Sequence, residues 1–430
     1  MKWIIFFLLA FTPLFSLAQK EDFKWIFNAW SVDDCSQSVL PDICNASILD
    51  FSTLPPKGFQ DKQITLDFGE TNTSICDSNG ELLFYSNGMA IDGPEHKPII
   101  NGDTINFVSG WNALIWQNEH DEWKSSGHRF VQSVGFIPLP NHPDTTLAIY
   151  QNYTRTGSTG YFDLQYGKIT LNDEGLYQII DKDRSINDRI GDPGNVHACR
   201  HANGRDWWML QFTRDTVYTY LIDTDGIQLS HMQFLPFEIR NGNGSSAYSH
   251  SGNRFALFHR HVSQSIDGMD LMISEFDRIS GNLFNPIYQT LSSFDTALDA
   301  GIEFSPNDQY LYISTPFSIF QIDLNNLPKI ELQTVGEFGE ELCEFDMFSL
   351  NTFGQMQLSP DNKIYIGRNF QCFDIHVINH PDRAGVACDV QRNAIKLPTY
   401  TDGTIPNFNT YRLGPLDCLL YTSPSPRDRG

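Results

Sequence analysis

Basic side chains are scarce in this sequence. Its 29 lysines and arginines stand against 52 aspartates and glutamates, which gives a formal net charge of -23. Nucleic-acid binding needs basic patches that replace the counterions of the phosphate backbone, and docking on an anionic membrane needs them too. The charge therefore argues against both partners and is compatible with solubility, divalent cations or cationic partners.

Motifs that carry known chemistry are missing as well. The chain has no Gly-x-Ser-x-Gly elbow, no His-Glu-x-x-His, no phosphate loop and no Asp-box of the Ser-x-Asp-x-Gly-x-Thr-Trp type. Carboxylates are plentiful, so a pair of acids for glycoside cleavage stays open. We predict no catalytic residue and favour a non-enzymatic protein.

Only the N-terminus has a long apolar run. Lys2 precedes the nearly all-apolar stretch 3–17, and Ser16-Leu17-Ala18 supplies the small residues of a cleavage site. Residues 1–18 are therefore predicted to be a signal peptide of a secreted, extracellular or surface-attached protein. An uncleaved anchor is the alternative, but the run is short for a membrane-spanning helix. No other transmembrane helix is predicted.

The sequence has no Cys-x-x-Cys, so neither a zinc knuckle nor a thioredoxin-type site is indicated. It does have eight cysteines, and export permits disulfides. Cys35 and Cys44 flank a short loop, which predicts an inserted, disulfide-clipped loop over residues 34–45. Cys372 and Cys388 are a second candidate pair. The other four cysteines cannot be paired from the sequence.

A repeated unit is the most informative feature that the chain contains. Segments 248–255, 304–311 and 358–366 each have an apolar residue, a serine, a tight polar turn and an apolar strand. The serines of neighbouring copies are 56 and 54 residues apart. Less regular copies centre on the turns at 79–80, 141–144 and 203–204.

Each repeat has a second half that alternates apolar and polar residues, as half-buried strands do. These stretches are 217–223, 271–277, 318–323 and 373–379. A unit of four strands in about 45 to 60 residues has the size of a propeller blade.

We therefore predict an all-β chain with a single β-propeller of YVTN- or WD40-like four-stranded blades over residues 19–417. Six turn centres are visible, and a seventh blade is predicted from strands 25–27 and 48–51 together with a strand at 407–413, which would join the two termini. Six blades is the alternative to seven, and a pair of β-sandwiches is less favoured.

Four segments carry a resemblance to a known family. They are Asp77 to Gly88, His201 to Trp208, Ser359 to Ile366 and Pro406 to Asp417. Over residues 27–417 the chain resembles secreted propeller proteins of gliding, type IX-secreting Gram-negative bacteria. The resemblance implies PKD-type modules and a C-terminal sorting domain after the propeller. It implies surface attachment and adhesion more than a reaction.

Residues 418–430 depart from the pattern of that family. The stretch breaks the blade repeat and looks like translated sequencing-adapter DNA. We expect a truncated gene model with an artefactual tail.

Two sets of residues suggest metal ligands. His197, Cys199 and His201 alternate along a strand and so share a face, but ligands spaced about 7 Å apart cannot meet at one ion without a bend. Asp223 and Asp225 precede a glycine, as in calcium loops. A plain Asx turn is favoured over a calcium site because no closing glutamate follows. We predict no cofactor, with a structural calcium ion as the alternative.

Tryptophans are the candidate ligand-binding residues, because exposed aromatic rings stack on sugars. Trp111, Trp116 and Trp123 lie in a polar stretch, 110–124, that predicts a surface loop. Trp208 follows a turn beside Trp207, and adjacent strand residues face opposite sides, so one ring is predicted to be exposed. For Trp207 and Trp208, packing in the gaps between blades is the favoured interpretation.

These features favour a secreted or cell-surface propeller that binds a glycan, polymer or protein through loops on a rigid scaffold. One alternative is a polysaccharide hydrolase or lyase with carboxylates gathered at the propeller axis. The other is a structural spacer for lost C-terminal modules. The sequence does not indicate an oligomeric state.

Overall fold

The structure is a computed structural model. It describes residues 19–28, 45–106, 127–128, 130–156, 159–187, 194–239, 244–262, 267–291, 300–338, 352–368, 372–401 and 404–416. The predicted signal peptide, the Cys35–Cys44 pair, most of the predicted loop 34–45 and the tail 418–430 lie outside these residues. In the described part of the chain, no helix is long and apolar enough to cross a membrane.

The described strands form seven antiparallel sheets that follow one another along the chain, so the protein is an all-β, seven-bladed propeller. Six blades were predicted from the turn centres of the repeat and a seventh from strands near the termini, and the count of seven is confirmed. Five of the sheets have four strands, and the first two have three in the described residues.

The strand bounds, blade by blade, are as follows. Blade 1 has β1 (Lys24–Phe27), β2 (Ala46–Asp50) and β3 (Lys57–Asp61); blade 2 has β4 (Thr73–Cys76), β5 (Leu82–Ser86) and β6 (Ile91–Asp92). Blade 3 has β7 (Val134–Pro138), β8 (Thr146–Thr156), β9 (Thr159–Leu171) and β10 (Tyr177–Asn187); blade 4 has β11 (Ala198–Arg200), β12 (Trp207–Thr213), β13 (Thr216–Asp223) and β14 (Gly226–Phe234). Blade 5 has β15 (Gly244–Tyr248), β16 (Arg254–Val262), β17 (Asp267–Asp277) and β18 (Asn282–Leu291); blade 6 has β19 (Ile302–Phe304), β20 (Tyr310–Ser314), β21 (Ser318–Asp323) and β22 (Gln333–Glu337). Blade 7 has β23 (Met356–Leu358), β24 (Ile364–Ile366), β25 (Cys372–Ile378) and β26 (Val390–Thr401). Two 3-10 helices cover Leu324–Asn326 and Gly385–Cys388.

The repeated serine fixes the turn between the first two strands of a blade. The Ser249 hydroxyl accepts hydrogen bonds from the backbone N–H groups of Asn253 (3.2 Å) and Arg254 (3.1 Å). In the next blade, the Ser305 hydroxyl accepts from the N–H of Tyr310 at 2.9 Å. A short polar side chain that binds nearby backbone competes well with regular structure, which explains why serine recurs where each strand must reverse.

Neighbouring blades pack face to face through large side chains. Between blades 4 and 5, the rings of Phe212 and Phe255 stack with centroids 5.4 Å apart. The Trp208 indole of blade 4 also donates to the Arg278 carbonyl of blade 5 at 2.9 Å. Both faces of a blade are therefore covered by its neighbours. In strands of this kind the alternation of apolar and polar residues is weaker than in a sheet with one solvent-exposed face.

The first blade is built differently from the others. Strand β1 runs antiparallel to β4, as two hydrogen bonds show. The Lys24 carbonyl accepts from the Ser74 side chain at 2.8 Å, and the Ile26 carbonyl, further along β1, accepts from Asn72, which precedes Ser74. A strand of this direction does not take the innermost position that β4 has in blade 2. The prediction that 407–413 supplies a strand there is wrong: this segment has no strand ladder and lies in the central channel instead.

The ring also closes at its outer part, where β26 of blade 7 packs against β2 and β3 of blade 1. The hydroxyls of Ser47 and Thr399 are 2.5 Å apart, and the Thr399 N–H donates to the Ser47 oxygen at 3.0 Å. The first and last blades are therefore tied together without a shared sheet.

The predicted disulfide between Cys372 and Cys388 is wrong. Cys372 is disulfide-bonded, whereas Cys388 is a free, buried thiol. Cys388 ends a 3-10 helix and lies in an apolar cluster with Tyr312, so its side chain serves as core packing. Cys76 and Cys199 are also free and buried.

We expect these three free thiols to resist alkylation in the folded protein. Burial raises the pKa of the Cys76 and Cys199 thiols to about 12 and that of Cys388 to about 11, so little reactive thiolate forms at pH 8. Iodoacetamide treatment followed by peptide mass spectrometry should find them modified only after unfolding. Fast labelling of Cys388 in the native protein would contradict its buried position.

Candidate functional site

Residues 404–416 fill the central channel of the propeller. The side chain of Asn409 accepts from the Ala198 N–H at 2.7 Å and donates to the Phe136 carbonyl at 2.8 Å, so it joins blades 3 and 4. Earlier in the segment, the Asn407 N–H donates to the Asn72 carbonyl of blade 2 at 2.7 Å. We call this stretch the axial segment.

Aromatic packing holds the axial segment in the channel. Tyr411 is buried, and its hydroxyl donates to the Phe136 carbonyl at 2.5 Å. Its ring meets Trp207 edge-on at 5.7 Å, and Phe408 lies 5.6 Å from the Trp25 ring. Arg200 covers the Trp207 ring with its guanidinium 3.6 Å from the centroid, a cation–π contact.

Charged contacts fix the C-terminal part of the axial segment. The Arg412 guanidinium pairs with the Asp22 carboxylate at 3.0 Å and donates to the carbonyls of Ser359 (3.0 Å) and Leu358 (3.2 Å). Burial raises the pKa of Asp22, and the neighbouring Arg412 opposes that shift. The C-terminal part of the chain is thereby tied to residues near its start.

A small cavity of about 50 Å³ remains beside the axial segment. Its lining includes two buried carboxyl groups, Asp22 and Glu303, and the imidazole of His197. Burial raises the pKa of Glu303 to about 7 and lowers that of His197 to about 4. Small-molecule sites typically enclose roughly 300–1,000 Å³, so this cavity has room for ordered water rather than a sugar ring.

A larger opening of about 480 Å³ lies on the side of the propeller, between blades 5 and 6. We call it the lateral groove. Its apolar lining comes from two strands of blade 5 and from the turn after β21 in blade 6. These apolar residues are Ile273, Pro286, Ile287, Leu324, Leu327 and Pro328.

Two opposite charges border the lateral groove. Arg254 on β16 and Glu275 on β17 are direct cross-strand partners, yet they form no ion pair with each other. Arg254 instead donates to the Asp308 carbonyl of blade 6 at 3.3 Å, and Glu275 accepts from the Asn285 amide at 3.3 Å. The charged groups are thus held apart on the groove wall.

A β-bulge lies in the groove lining at Asn285. The register between β17 and β18 shifts between Ile273 and Glu275, and Asn285 has a positive φ of 49°. Asparagine tolerates this left-handed conformation better than most residues, and a bulge redirects side chains at a sheet edge. The bulge brings the Asn285 amide to the Glu275 carboxylate.

The structure does not support Trp208 as an exposed ligand-binding residue. Trp208 is only 4% exposed, which contradicts the prediction of an open ring at this position. Its ring lies under the turn of blade 5 at Gly281, where an added Cβ would come within 2.8 Å of the indole. Trp207 is fully buried on the opposite face. Trp111, Trp116 and Trp123 lie outside the described residues.

The candidate metal ligands have ordinary structural partners. His197 contacts the Ser246 carbonyl at 3.2 Å, and His201 accepts from the Asn203 N–H at 2.9 Å. The Asp223 carboxylate accepts from the N–H of Asp225 at 2.9 Å, which is the geometry of an Asx turn. Within the described ranges, no group of three His, Cys, Asp or Glu side chains could hold a metal ion.

Sequence reasoning missed both the axial segment and the lateral groove. The alternating stretch 318–323 was predicted as a strand, and the turn that lines the groove follows it in the chain. The bulge at Asn285 could have been suspected from Asn-Pro inside a strand, because proline favours irregular strand positions. The distance between two neighbouring blades has no local sequence signal.

Comparisons with known proteins agree with the fold. Neither family models nor curated proteins match the chain. Among solved structures, a 6-phosphogluconolactonase-like protein from Bacteroides uniformis is similar at 13% identity with a TM-score of 0.50, over 90% of this chain and 99% of that one. At this identity the likeness shows the fold alone.

Two eukaryotic propellers are more distant. Chaetomium thermophilum Sqt1, bound to the N-terminus of ribosomal protein L10, has 12% identity and a TM-score of 0.40 over 83% of this chain and 84% of that one. The β-propeller domain of Myceliophthora thermophila Cps50 (Swd1) has 10% identity and a TM-score of 0.40 over 76% and 86%. The strand topology defines the protein as a seven-bladed β-propeller, and its axis is filled by its own chain.

Proposed function

We propose that this protein is a non-catalytic binding scaffold that holds a partner on the side of its propeller. The observation that supports this function is the filled axis: among the described residues, the cavity beside segment 404–416 has a volume of about 50 Å³, while the lateral groove offers about 480 Å³. A rigid ring with an open lateral groove suits binding, because the closed blades keep the groove residues in place.

We further propose that the protein acts outside the cell, attached to the cell surface. The apolar stretch 3–17 with a cleavage-like site supports export, and the resemblance to type IX-secreted propellers supports surface attachment. PKD-type modules and a sorting domain belong to the same proposal. A free, buried thiol at Cys388 is compatible with an oxidising compartment because the side chain is shielded.

The enzyme alternative needed acids gathered in a deep axial pocket. Asp22 and Glu303 do line the axial cavity, but Arg412 pairs with Asp22, and Glu303 accepts from two backbone N–H groups. Both carboxyl groups thus have structural partners, and the cavity is too small for a saccharide. The spacer alternative requires no binding site and leaves the lateral groove without a role.

Array binding with groove variants tests the scaffold function. The full chain is screened on glycan and matrix-protein arrays beside Ile287→Glu, which puts a charge into the groove. Leu229→Glu serves as the control, since Leu229 is a half-exposed residue on outer strand β14 of blade 4. We expect wild type and the control to bind the same component and Ile287→Glu to lose it.

Silence of the folded wild-type protein on every array would contradict a binding function. Equal binding by all three proteins would place the partner elsewhere on the propeller. Thermal unfolding of each variant shows whether a lost signal reflects a lost fold.

A further inference from the structure

We infer that the lateral groove binds an extended peptide segment of a partner protein, with an aliphatic side chain on the apolar floor and a main-chain amide between Arg254 and Glu275. This inference rests on the proposed binding function and names the chemistry of its partner. It is carried by the unused hydrogen-bonding capacity on the groove wall.

The two charged side chains retain free donors and acceptors. Opposite charges placed directly across antiparallel strands normally attract each other. Here one Arg254 nitrogen donates to the Asp308 carbonyl, and one Glu275 oxygen accepts from Asn285. A guanidinium has five N–H donors and a carboxylate about four acceptor sites, so most of this capacity is open to a ligand.

A peptide group matches this arrangement. Each peptide group offers one N–H donor and one C=O acceptor, which point in opposite directions in an extended chain. Glu275 can accept from the N–H while Arg254 donates to the C=O, and each of these hydrogen bonds is strengthened by the charge. Main-chain hydrogen bonds with pockets for side chains are a common mode of peptide recognition.

The floor favours an aliphatic side chain over a sugar. Ile287 and Leu327 line it with partly exposed branched groups, and Pro328 borders it. Ile273 also lines it but is only 1% exposed. Sugar sites use flat aromatic rings, and the groove lining in the described part of the chain contains none. Alternate residues of an extended peptide point the same way, so one side chain can reach the floor while its neighbours face solvent.

The charge of the whole protein adds a preference for basic flanking residues. A formal net charge of -23 attracts cationic segments and raises their rate of association. This attraction acts over the surface and is screened by salt, whereas the contacts inside the groove are screened much less. Binding should therefore weaken with salt without being abolished.

Defined peptides provide the test. Capped heptapeptides with lysines flanking a central Ile, Leu, Val, Asp or Gly are labelled and titrated with the full chain by fluorescence anisotropy. We expect binding with Ile, Leu or Val at the centre and a loss of at least about tenfold with Asp or Gly, because the floor excludes charge and gains nothing from glycine. Arg254→Gln and Glu275→Gln should each weaken the Ile peptide about tenfold, and Leu229→Glu should leave it unchanged.

Methylation of the peptide backbone sharpens the test. N-methylating the peptide amide that meets Glu275 removes its donor and should weaken wild-type binding about tenfold. In Glu275→Gln, the same methyl group should reduce the affinity for the peptide by a smaller factor, because the hydrogen bond at this position is already weakened. Such a coupling between the two changes would not follow from loss of fold.

Each outcome separates the inference from the function it rests on. Peptides that bind equally to wild type, Arg254→Gln and Glu275→Gln would overturn the inference and leave the scaffold function intact. Binding of glycans but not of peptides would do the same. No binding of peptides, glycans or matrix proteins by the folded chain would overturn both.

Discussion

Replacing Tyr411 by alanine is expected to lower the free energy of unfolding by about 3–5 kcal/mol. The ring is fully buried in the channel against Trp207, and its hydroxyl donates to the Phe136 carbonyl of blade 3. The substitution leaves a cavity where inner strands from several blades meet, and these strands cannot collapse on it without distorting the ring. Urea unfolding followed by tryptophan fluorescence measures the change.

Tyr411→Phe is the matched control. It keeps the ring and removes only the hydroxyl, so we expect a loss of about 1 kcal/mol, the usual net value of one hydrogen bond. If Tyr411→Ala were as stable as Tyr411→Phe, the axial segment would not contribute to the core. The filled axis, on which the proposed function depends, would then be in doubt.

The fold could be predicted from the sequence because its signals are local and repeated. Ser249 and Ser305 mark the same turn in successive blades, and the period of the repeat matches one blade. Turn chemistry depends on a few neighbouring residues, so it survives in a single sequence. This information predicted six blades, and the seventh was predicted from the strands 25–27 and 48–51 near the N-terminus together with 407–413.

The ring closure could not be predicted in this way. In segment 407–413, polar residues stand on both sides of Phe408 and of Tyr411. This pattern is compatible with an edge strand. In the structure its asparagines bond to the backbone of other blades: Asn407 to Val196 and Asn409 to Phe136. Which partner an amide side chain chooses depends on residues distant in sequence, and no period encodes it.

The prediction for Trp208 failed for a related reason. The rule that adjacent strand residues face opposite sides is correct, since Trp207 and Trp208 lie on different faces of β12. The rule does not say that either face of the strand is exposed to solvent. In a propeller every blade lies between two others, so Trp208 is covered by blade 5 through Arg278 and Gly281.

The candidate site was missed because it is defined by the relation between blades. Arg254 and Glu275 look like an ordinary cross-strand ion pair in the sequence, and only the neighbouring Asp308 carbonyl and the bulge at Asn285 separate them. A groove of this kind requires the spacing of blades 5 and 6. The charge of the chain was visible from the sequence and restricts the partner, but it does not locate the groove.

Glu303 should make stability depend on pH. Its carboxyl is 6% exposed, on inner strand β19, and accepts from the N–H groups of Phe304 and Leu358, both at 2.9 Å. Burial raises its pKa from the ordinary 4.5 to about 7, against the opposing effect of these two hydrogen bonds. Between pH 4.5 and about 7 the folded state thus holds a proton that the unfolded chain releases.

The sign of the effect follows from that difference. Because the folded pKa is the higher one, this contribution to stability is fully present below pH 4.5 and is lost as the pH rises through about 7. A shift from 4.5 to about 7 corresponds to about 3 kcal/mol. Above neutral pH the protein must keep a buried carboxylate between blades 6 and 7.

Glu303→Gln isolates this contribution because its side chain is uncharged at every pH. Its amide nitrogen cannot accept from the second backbone N–H, so at pH 4.5 we expect the variant to be less stable than wild type. Between pH 4.5 and pH 8 the difference should shift by about 3 kcal/mol in favour of the variant. Urea unfolding of both proteins at the two pH values measures it, with Glu174→Gln in an exposed turn as control.

Parallel changes in wild type and Glu303→Gln would show that Glu303 ionises normally in the folded protein. A shift of the expected size would show that ionisation of Glu303, whose carboxylate bonds to Leu358 of blade 7, lowers the stability of the folded propeller as the pH rises.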